Sequence, residues 1–334
     1  MQMEGKQYIP RFIRHVRQNG RMLKQTLHWF ARMALGLGVL LVAADAALAQ
    51  DLEARRWSHL PTGLNILGAG VVTTDGDIFF DPVMQIEDGT FRLYSVGSSY
   101  VRSFEWLGKS SRLDIKLPYV YGRWEGLVNG DYAAIRRHGF GDPRLRLSML
   151  LYGAPPLSGR EYMQYRAEHP VATTIGAALT VVLPWGEYFP DRLINLGGNR
   201  YVIRPSLGLL HRRGPWEFEV TTSLSFYQDN DAYYPGGSVL ERDPLWFLQG
   251  HVTRNLPRGQ WLTLSGGYSY DGELFLNGQS LDYTERTSFL SLGWGMALTR
   301  QQSIRVAWVR ADTQVVLGSS SDSLLFSWSL AWTP

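Results

Sequence analysis

The sequence predicts an all-β protein: a closed antiparallel transmembrane β-barrel of about 12 strands, following a cleavable amino-terminal signal peptide. Three observations carry this. Apolar residues recur with period two over stretches of about ten residues, the length a tilted strand needs to cross a bilayer. The opposite rows carry full charges and hydroxyls. The connections alternate between short and long, as they do when every second turn faces the periplasm.

The segments behind the first observation begin with Leu113, Ile115, Leu117, Tyr119 and Tyr121, set between Arg112, Asp114, Lys116, Pro118 and Val120. Leu145, Leu147, Met149 and Leu151 alternate with Arg144, Arg146 and Ser148. Ile175 to Leu183, Trp216 to Phe226 and Leu324 to Trp332 repeat the pattern. Twelve strands are expected, at about 65–75, 92–106, 111–123, 143–152, 172–184, 200–210, 216–227, 245–256, 261–271, 286–298, 303–312 and 323–332. Short turns fall at Leu107–Ser110, His211–Pro215, Pro257–Gln260 and Thr299–Gln302. One joint breaks the rule: Gly153–Pro170 is long yet periplasmic, and a small excursion or short helix is expected there. Trp185, Trp216, Trp246, Trp261, Trp294, Trp308 and Trp332 gather toward strand ends, where indoles favour the lipid–water boundary. A soluble β-sandwich would show the same alternation but needs neither aromatic belts nor sorted loops.

Composition narrows the rest. Among 334 residues there is no Cys, which removes disulfides, thiolate–metal sites and thiol nucleophiles. Aromatic residues make up 13%, charged residues only 19%, and Gly numbers 35, a balance that suits strands and turns. A mean hydropathy of -0.16 excludes a bundle of membrane helices. The basic balance is local: seven of the 33 Lys and Arg lie within residues 1–49 against two of the 30 acids, leaving 26 basic and 28 acidic groups beyond. No nucleic-acid partner is therefore expected. That basic region precedes the apolar run Met33–Ala44 and the small residues Ala47-Leu48-Ala49. It reads as an export signal over residues 1–49, cut between Ala49 and Gln50, with the barrel over 50–334. The run is too short to anchor the chain as a helix.

On this register the lumen receives Arg112, Asp114, Lys116, Arg144, Arg146, Arg204, Glu219, Gln249, His251 and Arg305. Asp114 is within reach of Arg144 or Arg146 on the next strand. These side chains form either a constriction selecting solutes by size and charge or a salt-bridged plug. The long loops offer Tyr188, Asn195, Asn199, Arg200, Tyr233 and Tyr234, with Phe189, Phe275 and Tyr283, either to capture a ring-bearing solute at the mouth or to pack on one another. His138, beside Arg136 and Arg137, reads as a solvated loop cluster. A barrel hydrolase would need a Ser activated by His, commonly two positions along one strand, and no His here has that neighbour: His251 is followed by Thr253. No cofactor motif and no metal-ligand spacing appears.

From Gly139-Phe140-Gly141-Asp142-Pro143-Arg144 onward the chain resembles the outer-membrane transporter family linked to the meta-cleavage pathway of phenol degradation. The resemblance continues through Gly153-Ala154-Pro155-Pro156, Leu183-Pro184-Trp185-Gly186-Glu187-Tyr188 and, most strongly, Leu193-Ile194-Asn195-Leu196-Gly197-Gly198-Asn199-Arg200. Later blocks lie at Asn230-Asp231, Gly236-Gly237, Asp243-Pro244, Gln249-Gly250-His251 and Arg258-Gly259-Gln260-Trp261. It implies an outer-membrane barrel associated with catabolism of aromatic or apolar compounds, with outer-membrane lipid, a small organic solute and the barrel-insertion machinery as partners. The expected function is passive uptake of such solutes. A barrel hydrolase and a non-conducting structural or surface-binding barrel are the alternatives. Arg254, on the outward row where this family often has an aromatic, must snorkel to the periplasmic boundary.

Overall fold

The computed structural model describes residues 52–78, 86–128, 131–192, 194–234, 236–281, 284–314 and 319–333. The expected signal segment lies outside these residues, as do Leu193 and Tyr283.

Twelve strands form the wall: β1 (Asn65–Ile78), β2 (Ile86–Trp106), β3 (Lys109–Val128), β5 (Arg144–Tyr152), β6 (Val171–Val182), β7 (Val202–Arg213), β8 (Trp216–Tyr227), β11 (Leu245–Leu256), β12 (Gln260–Tyr270), β15 (Arg286–Ala297), β16 (Gln302–Thr313) and β17 (Ser319–Trp332). Each pairs antiparallel with its neighbours, and β1 closes the ring on β17 from Asn65↔Trp332 to Ile78↔Ser319. Closure is what lets strands sit in hydrocarbon, because no row of backbone N–H and C=O groups is left at an edge.

All twelve expected strands are present. The turn Leu107-Gly108 joins β2 to β3 with both residues at positive φ, 52° and 70°. That geometry matches the twist of a two-residue hairpin. The long periplasmic joint contains the helix α1 (Gly159–Glu168), with no buried residue of its own. It is tied down by Tyr162, whose hydroxyl donates to the His59 carbonyl at 2.7 Å.

Five strands were not foreseen. β4 (Asp131–Phe140) runs beside the upper half of β3 and continues β5 across the break Gly141-Asp142-Pro143. The break sits opposite Pro118, which has no N–H for a ladder, and Gly141 N–H donates to its carbonyl at 3.0 Å. His138 thus belongs to a strand rather than a loop, stacked on Tyr121 at 6.4 Å and bonded to the Tyr119 hydroxyl at 3.1 Å. β9 (Asn230–Tyr233), β10 (Ser238–Arg242), β13 (Leu274–Leu276) and β14 (Gln279–Ser280) form a small separate sheet from two outer loops.

Sidedness follows the alternation. Val96, Val220, Leu264, Leu292 and Leu324 are exposed on the outer face, while Ser95, Thr221, Ser265, Ser291 and Ser323 are buried within. Arg254 stays outside, its guanidinium over the Trp216 ring at 5.2 Å. Trp261 is a correction to the expected belt. It turns inward at the periplasmic mouth, beneath Arg55 at 4.9 Å, because Gly295 leaves its ring the space a Cβ would fill.

The feature with no counterpart in the strand pattern is residues 52–64, which enter the lumen before β1 begins. Leu52 packs with Leu245, Phe247 and Phe289, and Trp57 is fully buried. Trp57 lies against Gly176 and Gly208 and donates its indole N–H to Thr221 Oγ1 at 2.7 Å. A Cβ on Gly208 would stand 1.8 Å from that nitrogen. Removing so large a buried ring costs about 3–5 kcal/mol. We expect Gly208→Ala to expel the segment while the wall still forms. Trypsin should then release fragments beginning at Arg56 or Trp57 from the folded variant and not from wild type; equal protection would show that Trp57 is not what seats the segment.

Candidate functional site

All ten expected lumen residues lie on strands of the wall. Arg112 Nε donates to Asp114 Oδ2 at 2.9 Å, two residues along the same strand. Of the two cross-strand partners expected for Asp114, Arg146 stands directly opposite it in register, yet neither of its terminal nitrogens, both buried, has a hydrogen-bond partner. Arg204 Nε donates to Ser225 Oγ at 2.8 Å. Glu219 accepts from the backbone N–H of Arg56 at 3.1 Å and so holds the inserted segment.

That segment supplies the ions that sequence reasoning missed. Arg55 bonds Glu217 at 3.0 Å, and Glu53 takes Lys116 at 2.8 Å and Arg56 at 2.9 Å. Burial alone would raise the Glu53 carboxyl. Lys116, Arg56 and Arg305 outweigh it and hold the group well below the ordinary carboxylate range. Residues 52–57 have no period-two signal, because a segment inside the barrel has no lipid face to satisfy.

His251 sits in a buried chain: Nδ1 meets Ser265 Oγ at 2.8 Å and Nε2 meets Gln249 Oε1 at 3.1 Å. The serine comes from the neighbouring strand β12, which a search along one strand could not find. His251 exposes 3% and Ser265 4% of its surface.

Beside the inserted segment runs a cavity of about 390 Å³. It exists because the walls there are small: Gly68, Gly70, Gly97, Ser99 and Ser327 line it, with Arg112, Asp114, Lys116, Arg144 and Arg305 on other sides. Small-molecule sites span about 300–1,000 Å³. A second cavity of about 40 Å³ adjoins it, sharing Arg56, Asp114, Lys116 and Arg144, and is lined further by Arg146, Thr180, Arg204 and Gln249.

The outer-loop candidates pack on one another. Asn195 accepts from Phe189 N–H at 2.8 Å and donates to the carbonyls of Phe189 and Arg192, closing that loop on itself. Asn199, at φ 52°, donates to Asn230 Oδ1 at 2.9 Å, and Asn230 donates to the Tyr188 hydroxyl at 2.8 Å. Arg200 lies over Tyr227 at 4.8 Å; burial, then the nearby Arg242, lowers its pKa to about 10. Tyr233 is buried and its hydroxyl pKa is raised, first by burial and then by Tyr188. Tyr234 is half-buried. The hub beneath them is Asp142, whose carboxylate accepts from Gly186 N–H at 2.8 Å and Gly198 N–H at 2.7 Å. Gly197 fits only without a Cβ, which would lie 2.8 Å from Gly186. Three sequence blocks, two of them neighbours and the third some forty residues earlier, therefore meet at one carboxylate.

A family model described as "Putative MetA-pathway of phenol degradation" matches residues 69–322. Among solved structures, an outer membrane channel from Pseudomonas putida F1 is similar with a TM-score of 0.69 and 16% identity, over 84% of this chain and 99% of that one. The translocator domain of the autotransporter NalP from Neisseria meningitidis gives a TM-score of 0.44 and 12% identity, over 87% and 96%. The first likeness shows that the closed-barrel fold is shared. No curated protein sequence matches.

Asp142→Ala should free the loop 183–200. Each charged hydrogen bond is worth about 1.5–3 kcal/mol, so amide exchange at Gly186 and Gly198 should speed up at least tenfold while exchange in β6 is unchanged; unaltered protection at both glycines would remove Asp142 from this role.

Proposed function

The chain belongs to this phenol-degradation family, and we propose that it is an outer-membrane channel for passive uptake of small organic solutes, aromatic or otherwise apolar. The observation that carries the reading is the cavity of about 390 Å³ inside a closed wall, between a charged side and a row of glycine and serine. A barrel of twelve strands is wider than one filled by its own side chains and narrower than an open porin. Here the inserted segment fills part of the difference and leaves a passage of molecular size. The solved channel from Pseudomonas putida F1 supports the reading by its shared fold. Passage is downhill, driven by the solute gradient.

Residues 1–49 act as the export signal in this reading. Cleavage after Ala49 leaves two residues ahead of Leu52, a point at which the chain is already enclosed by Leu245 and Phe247. Insertion machinery that reads an aromatic carboxyl-terminal strand would take β17, which ends at Trp332.

Gly97 offers the direct test. It faces the cavity, and a Cβ added there meets nothing closer than the Leu117 carbonyl at 4.0 Å, so a large side chain enters the passage without straining the wall. Wild-type protein in planar bilayers should conduct, and Gly97→Phe should reduce single-channel conductance several-fold with unchanged gel mobility of the folded barrel. Folded wild type that never conducts would refute the channel; unaltered conductance in Gly97→Phe would place the passage elsewhere.

A further inference from the structure

We infer that the solute is a small organic acid, an apolar ring or chain bearing one carboxylate, and that the carboxylate seats on the guanidinium of Arg146; the inference rests on the channel reading and specifies its cargo. Arg146 is 4% exposed, and its guanidinium lies over Trp57 with Cζ 5.0 Å from the ring centroid. Stacking satisfies the faces of a guanidinium and leaves its N–H edges to find acceptors. Here Nη1 and Nη2 are both buried and have none. A buried cation without an acceptor is costly enough that such groups are rare unless a ligand completes them.

The surroundings select an anion. Arg146 lines the 40 Å³ cavity with Lys116, Arg144 and Arg204, and with the donors of Thr180 and Gln249. The one acid on that lining, Asp114, accepts from Arg112 at 2.9 Å through Oδ2 and makes no hydrogen bond to the Arg146 terminal nitrogens. Two parallel N–H groups of one guanidinium match the two oxygens of a carboxylate.

The adjoining chamber selects what the carboxylate is attached to. Besides its charged residues that lining carries Ile66, Val72, Val101, Ala307, Val309 and Leu325, set among the small residues Gly68, Gly70, Gly97, Ser99 and Ser327. An apolar body occupies that side only if its charged end points toward Arg146, so the two cavities together read one amphipathic molecule. A neutral hydrocarbon would leave the guanidinium unpaired, and a small inorganic anion would leave the apolar side unfilled.

The test uses the full mature chain in detergent micelles, titrated with sodium benzoate, with benzyl alcohol as the uncharged probe of similar size, and read by calorimetry and by indole fluorescence. Wild type should bind benzoate at least tenfold more tightly than benzyl alcohol. Arg146→Gln should weaken benzoate about tenfold, and Arg146→Lys, which keeps the charge but not the fork, by less. Equal affinity of wild type for the two probes overturns the inference, and that comparison decides even if the glutamine variant fails to fold. Undiminished benzoate affinity in a folded Arg146→Gln variant overturns it as well. Conductance separates the two readings: folded protein that binds benzoate but never conducts sinks the channel and keeps the seat, whereas protein that conducts but ignores benzoate sinks the seat and keeps the channel.

Discussion

Hydrogen-bond closure between β1 and β17 is the constraint from which the rest of the molecule descends. Hydrocarbon offers no partner to a backbone N–H, so the first and last strands must find each other, and they pair over all fourteen residues of each. Once the ring is shut, every strand residue faces either acyl chains or the interior. That binary choice explains why leucines and valines stand exposed while serines, threonines and arginines are buried, the reverse of a water-soluble protein.

An interior lined by polar groups must then satisfy them. Part of the solution is within the wall, as in the Thr253–Thr263 and Thr287–Thr313 hydroxyl pairs, each at 2.9 Å. The larger part is the inserted segment, which brings Glu53, Arg55 and Arg56 to Lys116, Glu217 and Glu219. Its bulky anchor, Trp57, needs the glycines of β6 and β7 to fit. Because the segment leans on that side, the cavity opens on the other, where β1, β2 and β17 present glycine and serine. The cavity is thus a consequence of where large and small residues fall around one ring.

The strand set was legible because a lipid-facing row must be apolar at every second position, a constraint too rigid for local context to override. The lumen residues followed from the same parity. β4 was not legible: Asp131–Phe140 pairs with the upper half of β3, but Arg136 and His138 occupy its outward row without the apolar repeat. The inserted segment left no periodic mark. The Ser265 partner of His251 depends on which residue of a neighbouring strand lies opposite, which periodicity along one strand does not contain, whereas the inward turn of Trp261 follows the parity of Thr263 and Ser265 on its own strand. The sequence blocks around Asp142 marked a loop lock, visible only once Gly186 and Gly198 are seen on one carboxylate.

Sidedness is the central claim, and the absence of native cysteine makes it directly measurable. Single cysteines placed in turn from Phe218 to Leu224 on β8, labelled with bimane and reconstituted with spin-labelled lipid, report which positions touch acyl chains. Positions 218, 220, 222 and 224 should be strongly quenched and 219, 221 and 223 spared. Quenching without that alternation, or concentrated on the second row, would contradict the account.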